Sequence, residues 1–157
     1  SCNTVISSCE RGSESWQLPL HWFGCTCKLR LSPSIVTCSA AISTFERKRQ
    51  WQRALHLLGS AVTLHIVLNV IACSAAASAC EKGERWEPAL YLLSSAATLR
   101  ISPDVIMYNA VISAHGKGSQ WPRALRTFSC AAAAVSSPSV ITGNAAVSAC
   151  EKSGRWQ

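Results

Sequence analysis

Apolar residues return along this chain with a helical rhythm. Trp121, Ala124, Leu125 and Phe128 are spaced i, i+3, i+4, i+7, one stripe of an amphipathic helix. Trp51, Ala54, Leu55 and Leu58 lay out the same stripe, as do Trp86, Ala89, Leu90 and Leu93. Upstream of Trp121, Val105, Tyr108 and Ile112 share a face of another helix. Between the two lies a polar, Gly-containing segment, "GKGSQ" there and "EKGER" before Trp86, which reads as a helix–helix turn. Pro88 and Pro122 fall in the first turn of the second helix, where proline is tolerated because no intrahelical bond needs its N–H.

The rhythm itself repeats. Trp16, Trp51, Trp86, Trp121 and Trp156 stand 35 residues apart, and only Trp22 is out of phase. Pro33, Pro103 and Pro138 share a second phase, with Leu68 in place of proline once. Glu10, Glu46, Glu81 and Glu151 recur just before a basic residue. A two-helix unit this small cannot bury its own apolar face, so neighbouring units must supply the partner surface. The fold expected is all-α, an α-solenoid of stacked helix–turn–helix repeats with a 35-residue period. One array over 1–157 divides into units 1–34, 35–69, 70–104 and 105–139 and a partial unit 140–157. The chain starts inside a first helix and stops one residue past a tryptophan. A fragment of a longer array, with frayed termini, is therefore expected. The tryptophans lie on the packed stripe and are expected in the core, with RNA stacking as the competing role.

Composition narrows the function. Hydrophobic residues make up 48%, enough for a packed interior, so disorder over most of the length is excluded. The formal charge of +7 favours a polyanionic partner. Nine cysteines, an odd number, argue against a closed disulfide framework. Cys25 and Cys27 form a CxC pair without a matching zinc-spaced cluster, so no metal is expected. Cys80 and Cys150 occupy one place in their repeats, and Cys9 nearly so, as small core residues of a reducing compartment would. The apolar run 61–80 contains His65 and Asn69 and straddles a repeat boundary, which counts against a membrane span. His21, His56, His65 and His115 are scattered without paired carboxylates, and no nucleophile, phosphate-loop or metalloprotease motif is present. The chain is therefore not expected to be an enzyme, nor to need a cofactor or small-molecule substrate. His115 is expected to be solvated or hydrogen-bonded.

The repeated unit resembles the pentatricopeptide repeat. The resemblance rests on "PDVIMYNAVISAHGKGSQWPRALRTF" (103–128) and "SPSVITGNAAVSACEKSGRWQ" (137–157), with "PSIVTCSAAISTFERKRQWQRALHLL" (33–58) as a looser copy. The tetratricopeptide pattern W-x2-L-G-x2-Y is absent. The resemblance covers nearly the whole chain and implies a right-handed superhelix that binds single-stranded RNA sequence-specifically, one base per repeat. It implies work in a mitochondrion or chloroplast, in RNA processing, stability, editing or translation, with other RNA-processing proteins as further candidate partners.

It also implies roles for particular columns. One base reader lies twelve residues before each in-phase tryptophan: Ser39, Ser74, Asn109 and Asn144, with Asn3 in the first unit once its extra residue is allowed for. The other is the last residue of the unit: Ser34, Asn69, Asp104 and Ser139. All are small polar residues able to hydrogen bond a base edge. Helix capping beside proline competes as an account of the second column. The family wedges bases with the residue three before the first reader, here Val36, Ile71, Ile106 and Ile141, for which core packing is the alternative. The family's backbone-facing cations correspond to Arg11, Arg47, Lys82, Lys117 and Lys152, which a solvated basic helix end would also explain. The family's code, read residue by residue, pairs Asn3–Ser34 with a pyrimidine, Ser39–Asn69 with adenine, Ser74–Asp104 with guanine and Asn109–Ser139 with a pyrimidine.

The chain departs from the pattern at Cys73, where the family has tyrosine, and in the apolar segments "HWFGCTC" (21–27) and Ala131–Ala134. These leave bland surface, and keep open an alternative: a degenerate helical-repeat scaffold that binds protein without RNA.

Overall fold

A computed structural model describes residues 35–63, 67–134 and 140–152, apart from the side chains of Thr37, Ala97 and Lys152. Asn3, Arg11, Ser34 and Ser139, and with them Trp16, Trp22 and Trp156, lie outside the described residues. Seven helices and no strand occur among the described residues: α1 (Ile35–Arg47), α2 (Trp51–Thr63), α3 (Val70–Lys82), α4 (Trp86–Thr98), α5 (Val105–Lys117), α6 (Trp121–Ala134) and α7 (Val140–Lys152). First helices begin at 35, 70, 105 and 140, and each in-phase tryptophan from Trp51 to Trp121 opens a second helix. None of these helices is long and apolar enough to cross a membrane.

The helices form two layers. α1, α3, α5 and α7 pack side by side as an inner layer, and each second helix packs on first helices but hardly on its own kind. This explains the composition of α3, "VIACSAAASACEK". Neighbours crowd it on several sides, and Ala72, Cys73, Ala76, Ala77, Ala79 and Cys80 are buried. Small side chains let the backbones approach. Larger ones fill the layer elsewhere: Phe45 and Ile42 on α1 and Met107 and Ile112 on α5 are fully buried, each worth roughly 1.5–3 kcal/mol of burial.

The buried stripe of the second helices differs from expectation. Ala54, Leu57 and Ala61 are buried, and so are Ala89, Leu92 and Ala96, then Ala124, Thr127 and Ala131. The Leu55, Leu90 and Leu125 column is only partly covered, and Leu125 is exposed. The stripe is rotated toward the i, i+3, i+7 positions from the alanine. Adjacent leucine pairs hid that choice, and Thr127 is a polar residue in a buried place.

The turns between paired helices are built alike. Arg49, Glu84 and Ser119, again 35 apart, adopt left-handed backbone (φ 56°, 58° and 56°). The next residue's N–H then reaches back five positions, Gln50 to Phe45 (3.0 Å), Arg85 to Cys80 (2.9 Å) and Gln120 to His115 (2.8 Å), closing the helix end. The glycines beside them, Gly83 and Gly118, have ordinary negative φ (−83° and −84°). Glycine is needed there for room. A Cβ on Gly83 would strike Trp51 Cδ1, and one on Gly118 would strike Trp86 Cδ1.

Trp51 and Trp86 are therefore half-buried clasps between units. Arg85 lies 5.6 Å over the Trp51 ring and Arg123 4.5 Å over the Trp86 ring. Trp86 also meets His115, ring centroids 5.7 Å apart. His115 is neither solvated nor well bonded, contrary to expectation. It is fully buried, and neither ring nitrogen has a partner of hydrogen-bonding geometry among the described residues. Loss of hydration pushes its pKa down; the Val111 backbone pulls the other way, and the Arg123 charge adds a smaller lowering.

Candidate nucleic-acid interface

The inner layer packs on the second helices with one face and leaves the other open. The wedge column stands on that open face. Val36, Ile71, Ile106 and Ile141 are 55%, 62%, 60% and 67% exposed, which rules out the core-packing alternative for them. β-Branched side chains held out in water at the same step of four successive helices form an apolar ladder with gaps between the rungs. One gap is a shallow cavity of about 290 Å³ between Ile106 and Ile141, floored by Asn109, Ala110 and Ala145 and walled by Glu81.

The first reader column borders these gaps. Asn109 Oδ1 is buried in the wall and has no hydrogen-bond partner among the described residues. An amide in that state gains when a ligand supplies the missing bond. Ser74 is buried and donates to Asp104 Oδ1 at 2.8 Å. The two residues assigned to one base are thus in direct contact although thirty positions apart in sequence. Ser39, by contrast, donates to the Val36 carbonyl (3.1 Å) within its own helix. Asn144 is exposed on α7.

The second column does cap helices. Asn69 Oδ1 accepts from Ala72 N (2.9 Å) at the start of α3, and Asp104 Oδ1 accepts from Met107 N (2.8 Å) at the start of α5. Capping does not exhaust these side chains. Asp104 uses one oxygen for both the cap and Ser74, so the cap fixes the carboxylate and its other oxygen points to no recorded protein donor.

The cations occupy the last turn of the first helices, at the favourable end of the helix dipole. Lys82 Nζ pairs with Glu46 (2.8 Å), and Lys117 Nζ with Glu81 (3.0 Å). Each link joins one unit to the next. Ser113 Oγ adds a bond to Glu81 (2.9 Å). Arg47 is exposed at the end of α1, and Lys152 closes α7. The sequence signal for these links was the glutamate before each basic residue: a 36-residue offset from Glu46 to Lys82 and from Glu81 to Lys117. The fourth unit lacks the glutamate. Gly116 stands in its place, pressed against Ala149 so closely that a Cβ would lie 2.9 Å from the alanine methyl.

Two buried thiols on α3 are inert, while Cys9, Cys25 and Cys27 lie outside the described residues. Burial pushes the Cys80 thiol up to about 12, and burial with the nearby Asp104 charge raises Cys73, so both stay protonated and non-nucleophilic near neutrality. No group of His, Cys, Asp and Glu among the described residues could hold a metal. A second, apolar cavity of about 400 Å³ lies on the outer side between α2 and α4, bordered by Leu58, Val62, Cys73, Tyr91 and Leu99.

No protein-family model matches the sequence, and no curated relative does. Among solved structures the fold is similar to that of the pentatricopeptide repeat protein PPR10 from maize, with a TM-score of 0.75 at 21% identity. The match covers 98% of this chain and 23% of that one, so the chain spans about a quarter of the length of the protein it matches. The chain has the pentatricopeptide-repeat fold, an all-α helical-repeat solenoid.

Proposed function

We propose that the open face of the inner layer binds single-stranded RNA, one base per unit, without catalysis. The observation that carries this reading is the cavity between Ile106 and Ile141. Apolar rungs on either side could hold the flat faces of a base, and the partnerless Asn109 Oδ1 lies where a base edge would come. Ser74 and Asp104 offer a second, prealigned pair of hydrogen-bonding groups. Units 35–69, 70–104 and 105–139 would each take one base in this reading. The base assignments, pyrimidine–adenine–guanine–pyrimidine from the N-terminal end toward the 3′ side, and a role in mitochondrial or chloroplast RNA processing, stability, editing or translation are carried over from the resemblance.

The test is selection from a random RNA pool by the protein and by its Asn109→Ala and Asp104→Ala variants. A shared short motif that shifts in each variant supports the assignment. Identical motifs from all three would remove it. The second reading, a protein-binding scaffold, draws on the outer cavity beside Tyr91, whose ring is 71% exposed. Salt-dependent binding of RNA separates the two, because phosphate contacts release counterions and burial of apolar surface does not.

A further inference from the structure

The two described lysines of the backbone-facing column are already neutralised. Lys82 is held by Glu46 and Lys117 by Glu81, and in both cases the carboxylate belongs to the preceding unit. These contacts lie at the edge of the open face: Glu81 walls the same cavity as Asn109 and Ile106. Each lysine side chain is more exposed than its glutamate partner (40% against 23% for Lys82 and Glu46, 30% against 24% for Lys117 and Glu81), so a phosphate can reach the ammonium but must compete with the carboxylate for it.

We propose that Glu46 and Glu81 are internal competitors of the RNA phosphates, occupying Lys82 and Lys117 in the free chain and lowering both the affinity and its salt dependence. This rests on the RNA-binding reading above. The pairs are partly exposed, so each holds its lysine only weakly and can be exchanged. Glu81 is the firmer of the two. Ser113 Oγ donates to the same carboxylate, and Lys117 Nζ also reaches the Glu81 carbonyl at 3.3 Å. The exchange moves no proton and breaks no covalent bond; the lysine keeps its charge, and one anion replaces another. A bare lysine column predicts that every cation strengthens RNA binding fully. The paired column predicts that removing an acid strengthens it.

The experiment titrates a labelled single-stranded RNA of randomised sequence into the protein and its Glu46→Gln/Glu81→Gln variant across a salt series. Glutamine keeps the size and the bond to Ser113 while releasing the lysines. The double variant should bind about fivefold tighter at low salt, the gain expected from freeing two exposed pairs. Its log–log salt slope should steepen, by at most about 1.4, the limit of ~0.7 for each of two phosphate contacts that the carboxylates would otherwise cancel. Glu84→Gln/Glu87→Gln makes the same change of net charge at two exposed acids with no recorded ion pair to a lysine, and should reproduce neither effect. A further variant pair guards against loss of folding: Lys82→Gln should weaken binding more in the Glu46→Gln background than in the parent. Parent-like affinity and slope in a double variant that keeps the parent's helical circular dichroism overturn this inference alone. Equal tightening by the control variant also overturns it, since the effect would then be net charge. RNA binding by neither parent nor double variant overturns the RNA reading as well.

Discussion

Trp86 occupies the space that a side chain on Gly118 would need, and so each unit is keyed into the turn of the next. Trp51 and Gly83 repeat the relationship one unit earlier. The adjacent residue, Ser119, carries the left-handed backbone that glycine would tolerate best. Neighbouring positions should therefore answer substitution with opposite sign. Gly118→Ala should destabilise the chain by about 1–3 kcal/mol through overpacking against Trp86. Ser119→Gly should leave stability unchanged or raise it by up to about 1 kcal/mol, relief of the left-handed strain exceeding the added freedom of the unfolded chain. Urea unfolding of the two variants measures both; equal destabilisation by the pair would refute the keyed turn.

His115 predicts an acid-sensitive junction. Its folded pKa lies below the ordinary value of 6.5, because burial disfavours the charged ring. Above pH 6.5 the ring is neutral whether the chain is folded or not, and its contribution to stability is constant. As pH falls below that value the unfolded chain takes up the proton first, so stability drops progressively toward the depressed folded pKa. His115→Cys, which installs the residue found at Cys80, should flatten the fall between pH 6.5 and 5 in thermal melts. An unchanged pH slope would show that other groups cause it.

Asp104 separates capping from reading. Asn69 shows that asparagine caps the equivalent helix start with a 2.9 Å bond. Asp104→Asn should therefore hold stability within about 0.5 kcal/mol, while changing the base preferred at the third unit from guanine toward adenine. Asp104→Ala should lose about 1 kcal/mol of stability and the preference together. Melting curves and competition with two RNAs differing at that base test the pair. A stable Asp104→Asn variant with the parent's preference would confine Asp104 to capping.

Ile106 and Ile112 lie on one helix and should behave as opposites. Ile106 is 60% exposed and Ile112 is fully buried. Ile106→Ala should change stability by less than about 0.5 kcal/mol and weaken RNA binding several-fold. Ile112→Ala should cost about 2–5 kcal/mol of stability. A large loss of stability in the Ile106 variant would place that side chain in the core after all.

The helix pairs and their phase were legible because Trp51, Trp86 and Trp121 each open a second helix, and a mark that recurs every 35 residues cannot arise from propensity alone. The open-face columns were legible only through the resemblance, since Ile106 and Ile112 are alike in composition and their opposite exposure depends on which neighbours flank α5. The buried stripe of α6 was misread because Thr127 is polar; inside the helix its hydroxyl is satisfied by the Arg123 carbonyl at 2.9 Å. His115 was misplaced for a related reason. Its column holds Phe45 and Cys80, both fully buried, and that column was a better guide than its own polarity. The Glu46–Lys82 and Glu81–Lys117 links needed the register of neighbouring helices, which only the packed layers supply.

The second helices rest on the inner layer and scarcely on each other. Mechanically, this makes the described array a bound book: a tight spine of alanine, cysteine and serine, its covers latched at one end where Trp51 and Trp86 seat in the next unit's turn. The slack in such a stack lies in outer gaps such as the one between α2 and α4, while the rungs of the open face stand on the tightly packed spine. A flexible strand laid along that face would be met by a ladder of fixed step, to which the strand must adjust.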